Sequence, residues 1–98
     1  MSASTLRWTR RAIRRLDQIG NYVAKDNPDA AAQIVTRIVL AVDNIASYPS
    51  MGRVGRIKGT REYPLGDIPY IIVYRLQSGV VEIITVFHGA QKWPLQLD

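Results

Sequence analysis

One apolar stretch decides the fold of this chain: residues 70–88, YIIVYRLQSGVVEIITVFH. β-Branched and aromatic residues dominate its two halves, which is typical of β-strands. The turn-forming residues Gln77-Ser78-Gly79 separate the halves. The stretch therefore predicts two antiparallel strands, at residues 70–76 and 80–88, joined as a hairpin.

Both faces of this predicted hairpin are largely apolar. Alternate residues of a strand share a face. In the first strand, one face carries Tyr70, Ile72 and Tyr74, and the other carries Ile71, Val73 and Arg75. In the second strand the two sets are Val81, Ile83, Thr85 and Phe87, and Val80, Glu82, Ile84, Val86 and His88. In a sheet with one solvated face, apolar and polar residues alternate more regularly along each strand. We predict that the helices cover one face of the sheet. The isolated chain would expose the other face, and a partner would cover it in the complex. The alternative is that the tail covers this face with Trp93, Leu95 and Leu97.

Upstream of the hairpin the sequence predicts a short strand and two helices. Leu6 and Trp8 alternate with polar neighbours and indicate a strand over residues 5–8. A first helix over residues 10–25 has its apolar stripe at Ile13, Leu16, Ile19 and Val23. A second helix begins at Pro28 and has its stripe at Ile34, Ile38, Ala41, Ile45 and Tyr48. The tight turn between them predicts an antiparallel helix hairpin.

The region between the helices and the apolar hairpin is more polar. We predict a loop at residues 51–55, a polar strand at 56–63, a connection at 64–69 and an irregular tail at 89–98. This order predicts an α+β fold, β-α-α-β-β-β, with the helix hairpin packed on one face of a mostly antiparallel sheet. A length of 98 residues suits a single domain.

Composition limits the possible chemistry. No cysteine is present, which excludes a disulfide scaffold, a thiolate metal site and a cysteine nucleophile. The sequence contains no metal-ligand spacing, phosphate-binding loop or nucleophile elbow, so we expect no metal and no cofactor. Residues 1–9 lack the apolar core of a secretory signal, and no apolar run reaches the roughly 20 residues of a membrane span. We therefore expect a cytoplasmic protein without membrane contact.

The net charge of +5 points to an anionic partner, either nucleic acid or an acidic protein. One cluster of cations lies at the start of the first helix and comprises Arg7, Arg10, Arg11, Arg14 and Arg15. A second cluster, in the loop and the polar strand, comprises Arg53, Arg56, Lys58 and Arg61. Arg56 and Lys58 are predicted to share a strand face. A solvated basic helix and an edge strand guarded by charge are the alternative interpretations.

His88 is the only histidine and the natural candidate for general acid–base catalysis. Glu62 could act as a base, and Arg61 or Arg75 could stabilise phosphate charge. Together these residues would make a metal-free set for RNA cleavage. The alternative is a structural or surface role for His88, because spacing alone brings none of these residues together.

Short motifs along nearly the whole chain resemble those of the RelE/ParE family of toxins. They are Asp26-Asn27-Pro28, Pro49-Ser50-Met51-Gly52-Arg53, Gly59-Thr60-Arg61-Glu62, Pro69-Tyr70-Ile71-Ile72-Val73-Tyr74-Arg75, Val86-Phe87-His88 and Gln91-Lys92-Trp93-Pro94. The resemblance implies the toxin of a type II toxin–antitoxin pair. A cognate antitoxin would wrap and inactivate it, and this chain would contact DNA only through the DNA-binding part of the antitoxin.

Two activities occur in the family that the chain resembles. RelE-type members cut messenger RNA in the ribosomal A site, and ParE-type members inhibit DNA gyrase and block replication. RelE-type members have an arginine where this chain has Ile71, and their catalytic tyrosine or arginine near the C-terminus has no match in residues 91–98. These departures favour a ParE-like gyrase inhibitor that arrests growth without a catalytic set.

Two alternatives to gyrase inhibition stay open. One is a ribosome-dependent mRNA endoribonuclease that uses His88, Glu62, Arg61 and Arg75. The other is a non-toxic regulatory partner of the antitoxin. Under the favoured interpretation, the candidates for contact with antitoxin or target are Arg10, Arg11, Arg14, Arg15, Arg53, Arg56, Lys58, Ile84, Val86 and Trp93.

Overall fold

The computed structural model describes residues 5–90, which form two helices and a five-stranded sheet. In chain order the elements are β1 (Thr5–Trp8), α1 (Arg10–Ala24), α2 (Pro28–Ser47), β2 (Arg53–Val54), β3 (Arg61–Pro64), β4 (Tyr70–Gln77) and β5 (Val80–His88). The strands lie in the order β1-β5-β4-β3-β2. β1 is parallel to β5 and every other pair is antiparallel. The predicted α+β class and the helix hairpin are confirmed, and β2 is an additional short strand.

Side-chain caps explain where both helices begin. Thr9 precedes α1 and its hydroxyl accepts a hydrogen bond from the Ala12 N–H at 3.1 Å. Asn27 precedes α2 and its side-chain oxygen accepts from the Ala30 N–H at 3.0 Å. Such bonds satisfy backbone donors that have no partner within the helix. α2 ends at Ser47 because Pro49 disfavours helical geometry in the residue before it.

The helix hairpin buries one face of β4 and β5. Tyr70, Ile72 and Tyr74 of β4 form a single cluster with buried side chains of α1 and α2. Ile38 and Ile45 of α2 have no solvent exposure within it. Each fully buried aliphatic side chain contributes roughly 1.5–3 kcal/mol of transfer free energy. The structure thus shows that the helices cover the face of β4 that carries Tyr70, Ile72 and Tyr74.

α2 is long and apolar enough, by length and composition alone, to cross a membrane. Core helices of soluble proteins pass the same test, so one such helix is weak support for a membrane span. In this chain Ile38, Val42 and Ile45 lie without exposure in the cluster shared with the sheet. We interpret α2 as the core helix of the domain.

Two members of the predicted helical stripes, Ile13 and Tyr48, are exposed to solvent. Ile13 is 48% exposed, and Ala12 occupies the buried position next to it. The small Ala12 side chain lets the start of α1 lie close to the sheet. Tyr48 is 64% exposed because it is the C-cap of α2, with φ −133° and ψ 75°, and its side chain leaves the stripe.

A β-bulge in β5 overturns the predicted alternation of its side chains. Val73 pairs with Thr85, but the next residue, Tyr74, pairs with Ile83, so Ile84 is an extra residue without a partner on β4. An extra residue exchanges the faces of all side chains beyond it. The prediction that Ile84 and Val86 share a face was therefore wrong. Val86 lies in the helix-covered core, and Phe87 moves to the opposite face.

The bulge is also the anchor of α1. The Thr9 hydroxyl donates to the Ile83 carbonyl at 2.7 Å, with the Ile84 carbonyl 3.1 Å away. The Thr9 N–H donates to the same Ile83 carbonyl at 3.1 Å. Thr9 thus links the end of β1 to the start of α1 and hydrogen-bonds to the bulged segment of β5.

The second face of the sheet is less open than predicted. Val73, Ile84 and Phe87 form a second cluster, with Ile71 packed against it. All three are buried within the single chain, so the predicted exposed patch was wrong at these residues. The alternative cover, by Trp93, Leu95 and Leu97, lies outside the described residues.

The predicted polar strand at residues 56–63 was wrong in its first half. β2 and β3 flank a turn, in which the Gly55 N–H donates to the Thr60 carbonyl at 2.8 Å. Arg56 and Lys58 lie in this turn and not on a strand. The turn is stabilised by Glu62, whose carboxylate accepts from the Arg56 N–H at 2.9 Å.

Tyr74 joins the sheet to the loop that follows α2. Its hydroxyl donates to the Pro49 carbonyl at 2.6 Å and accepts from the Gly52 N–H at 2.9 Å. A Cβ atom at Gly52 would lie 2.6 Å from the same hydroxyl, so only glycine fits. Burial raises the pKa of Tyr74 above its ordinary value.

We predict that Thr9→Ala lowers the free energy of unfolding by about 1–2 kcal/mol, because a helix cap is lost. Thr9→Ser keeps the hydroxyl and should retain most of the stability. Urea denaturation of both variants measures the difference. Equal stability of the two variants would contradict the role assigned to the hydroxyl.

We also expect Tyr74→Phe to lower the free energy of unfolding by about 1–3 kcal/mol, because the buried Gly52 N–H loses its acceptor. The raised folded-state pKa makes the Tyr74 contribution complete below about pH 10 and lost at higher pH. Stability should therefore fall less steeply above pH 10 in the variant. Denaturation series from pH 8 to pH 11 test this, and identical slopes would refute it.

Candidate functional site

A cationic groove lies on the sheet face away from the helices. It has a volume of about 570 Å³ and lies between the β1–α1 junction, the ends of β4 and β5, and the turn at residues 57–60. Its charged lining residues are Arg7, Arg11, Lys58, Arg75 and Glu82, which gives a net charge of +3. We call this site the basic groove.

Glu82 lies at the centre of the basic groove, between two arginines. The strand register places Glu82 beside Arg7 of β1 and beside Arg75 of β4. The Arg75 Nε and Nη2 atoms lie 2.7 and 2.6 Å from Glu82 Oε1, and Arg7 forms an ion pair with Oε2. The Glu82 side chain is 10% exposed, whereas those of Arg7 and Arg75 are 62% and 47% exposed. The carboxylate is therefore covered while both guanidinium groups face solvent.

Apolar and neutral polar side chains complete the basic groove. Ile57, Leu76 and Ile84 supply the apolar part, and Thr60 and Gln77 supply hydrogen-bonding groups. Leu76 is half exposed. The lining residues within the described chain include no aromatic side chain on which a nucleic-acid base could stack.

Much of the second predicted cationic cluster has a structural role. Arg53 lies 3.3 Å and Arg56 3.7 Å from Glu62 Oε1, and the Glu62 side chain is 1% exposed. Arg61 donates to the Gly52 carbonyl at 2.7 Å. The three arginines bind the β2–β3 turn and its flanking loop, and Lys58 is the member that lines the basic groove.

The arginines at the start of α1 face different regions. Arg11 lines the basic groove, and Arg15 lines a smaller cavity of about 380 Å³ on the helix side. Arg10 and Arg14 are exposed. The cationic cluster predicted at the start of the first helix is thus spread over both sides of the sheet. The further candidate Trp93 lies outside the described residues.

His88 lies in the smaller cavity, on the helix side of the sheet. Its ring meets that of Tyr70 edge to face, with centroids 5.3 Å apart. Its Nδ1 atom accepts a hydrogen bond from the Ala90 N–H at 3.0 Å. Gln18 and Tyr22 of α1 also line this cavity.

The residues proposed for RNA cleavage are not brought together. Glu62 pairs with Val73, which places it on the face opposite His88. Arg75 is bound to Glu82, and Arg61 lies on the helix side at the Gly52 carbonyl. Within residues 5–90 no group of three His, Cys, Asp or Glu residues could hold a metal ion.

Glu82, at the centre of the basic groove, was not predicted from the sequence. The hairpin turn at residues 77–79 was enough to place Glu82 opposite Arg75. The parallel pairing that adds Arg7 had no local signal, because Arg7 and its partner Glu82 lie 75 positions apart in the chain. Val86, a predicted contact residue, is fully buried in the core and has no surface for a partner.

By its similarity to known proteins, the chain is a toxin of a type II toxin–antitoxin system, in the RelE/ParE superfamily. Residues 6–93 match the family model described as the ParE toxin of the type II toxin–antitoxin system parDE. The chain belongs to this ParE toxin family.

Relatives and solved structures agree with this membership. The chain is 62% identical over 94 residues to Y4kP of Sinorhizobium fredii, a protein named as a toxin, covering 96% of this chain and 97% of that protein. It is 34% identical over 84 residues to the toxin RelE2 of Caulobacter vibrioides, covering 86% and 93%. A structure of the chromosomal ParDE system of P. aeruginosa superposes with a TM-score of 0.79 at 27% identity, covering 88% of this chain and 96% of that chain.

We predict that Glu62→Gln lowers the free energy of unfolding by about 1–3 kcal/mol, because a buried charged acceptor of the β2–β3 turn is lost. Asp67→Asn is the matched control, since its exposed carboxylate pairs with Arg37. The Arg37 hydrogen bond lowers the pKa of Asp67, but exposed ion pairs contribute little to stability. Thermal denaturation at pH 7 compares the two, and an equal loss in both would contradict the structural role of Glu62.

Proposed function

We propose that this toxin inhibits DNA gyrase, blocks replication and arrests growth in the cytoplasm until its antitoxin neutralises it. The observation that carries the proposal is the separation of the residues suited to RNA cleavage. His88 lies on the helix side of the sheet, and Glu62 lies on the other side as the bound acceptor of a turn. Acid–base cleavage requires such groups to converge on one phosphate.

A residue of β4 supports the same proposal. Ile71 stands where RelE-type members have an arginine, and it packs against the second apolar cluster. An aliphatic side chain cannot stabilise the charge of a phosphorane. Inhibition by binding needs only a shaped surface of suitable charge, which the basic groove and the exposed Arg10 and Arg14 provide.

Ribosome-dependent cleavage of messenger RNA is the second candidate. The 34% identity to a protein named toxin RelE2 favours it, as does the net positive charge of the basic groove. In this case His88 would have to act with groups other than Glu62 and Arg61.

Supercoiling of relaxed plasmid by purified gyrase separates the two candidates. We expect the toxin to inhibit supercoiling and to trap cleaved DNA, and the co-expressed antitoxin to relieve both effects. If expression of the toxin arrests growth but the purified toxin leaves gyrase unaffected, the proposal is refuted and messenger RNA cleavage is favoured.

His88→Asn should leave growth arrest unchanged, because the asparagine oxygen can still accept from the Ala90 N–H. The measurement is colony formation after induced expression, with circular dichroism to confirm that the variant folds. Loss of arrest by a folded variant would count in favour of catalysis by His88.

A further inference from the structure

The smaller cavity, on the helix side of the sheet, lies between one face of α1 and the open end of the β4–β5 hairpin. Four residues of α1 line it at positions i, i+3, i+4 and i+7 and so share that face: Arg15, Gln18, Ile19 and Tyr22. The strands contribute Tyr70 and His88, which pair at the start of β4 and the end of β5. The volume of about 380 Å³ is in the range of small-molecule sites.

The Tyr70 hydroxyl is an unpartnered donor at this cavity. Tyr70 is 8% exposed, and within residues 5–90 its hydroxyl has no hydrogen-bond partner. The ring is buried, whereas the hydroxyl oxygen is open to the cavity that the residue lines. Burial raises the pKa of Tyr70, and the charge of Arg15 opposes this shift. The hydroxyl is therefore protonated at neutral pH and offers an O–H donor to a group in the cavity.

Arg15 supplies a positive charge beside this donor. Its Nε atom donates to the Val86 carbonyl at 3.1 Å, and its Nη1 atom donates to the Gln18 side-chain oxygen at 3.0 Å. A guanidinium that is already held in place loses less side-chain entropy when it binds an anion. The described lining residues include no Asp or Glu that would repel an anion. The polar part of the cavity therefore suits a single anionic group.

The remaining lining residues suit a flat ring. Tyr22 is largely exposed and Ile19 is buried, so an aromatic wall stands over an apolar floor. Stacking of one aromatic ring on another contributes free energy beyond the burial of its area. His88 meets Tyr70 edge to face and so keeps the Tyr70 ring in position.

We propose that the smaller cavity binds a small planar aromatic anion, of the kind found in aromatic carboxylates and nucleoside monophosphates. The anionic group binds Arg15 and the Tyr70 hydroxyl, and the ring stacks on Tyr22 above Ile19. His88 is a positioning residue for Tyr70. The basic groove lies on the opposite side of the sheet, so this site does not depend on the gyrase proposal.

NMR titration of the nitrogen-15-labelled chain tests the site with benzoate and adenosine 5′-monophosphate as probes. Adenosine is the control with a ring and no anion, and inorganic phosphate is the control with an anion and no ring. We expect at least one probe to bind at least about tenfold more tightly than both controls and to shift the Gln18 side-chain amide. Tighter binding of benzoate would identify a carboxylate ligand, and tighter binding of the nucleotide a phosphate ligand. Binding of neither probe above the controls would overturn the proposal.

Arg15→Gln should weaken binding of the better probe at least about tenfold, because the charge that binds the anion is lost. Arg37→Gln is the matched control: it removes the same charge from α2, outside the cavity lining, and should change binding less than about twofold. Circular dichroism confirms that both variants fold. Equal weakening in the two variants would show a nonspecific effect of charge and would overturn the proposal.

Tyr70→Phe tests the site without changing its charge. We expect it to weaken binding at least about threefold, because the donor to the anion is lost. The melting temperature should stay unchanged, since the hydroxyl has no partner among the described residues. This variant also decides the matter if Arg15→Gln does not fold. Binding equal to that of the wild type would overturn the proposal.

Discussion

The hydrogen bonds between Thr9 and the bulged segment of β5 hold the two layers of the protein in register. The Thr9 hydroxyl and N–H both reach the Ile83 carbonyl, at the point where β1 ends and α1 begins. The bulge at Ile84 exposes these acceptors and at the same time exchanges the faces of the residues beyond it. Val86 is thereby available to the helix-covered core and Phe87 to the second cluster.

The same junction builds the basic groove. Because β1 lies parallel to β5 and ends at the bulge, Arg7 stands next to Glu82 and the first turn of α1 closes one wall. Arg75 approaches Glu82 from β4 on the other side. The second buried carboxylate, Glu62, organises the β2–β3 turn that forms the opposite wall. Two covered carboxylates thus position a surplus of exposed cations.

This arrangement suits a toxin that is controlled by binding. The ParE family membership defines the chain as one half of a toxin–antitoxin pair. Cations held by internal carboxylates are oriented before any partner arrives, so complex formation loses less side-chain entropy. His88, by contrast, is engaged with Tyr70 and the Ala90 N–H on the helix side, away from the basic groove.

Sequence alone determined the α+β class, both helices and the β4–β5 hairpin, because hydrophobic periodicity and capping residues act locally. It also indicated the toxin family through short motifs. Only the tertiary structure decided the bulge at Ile84, the place of Glu82 between two arginines, and the distance in the fold between His88 and Glu62. These features depend on how the strands pair in the fold. A bulge such as that at Ile84 cannot be recognised from the apolar pattern of its own strand, because it is defined by the pairing register with the neighbouring strand.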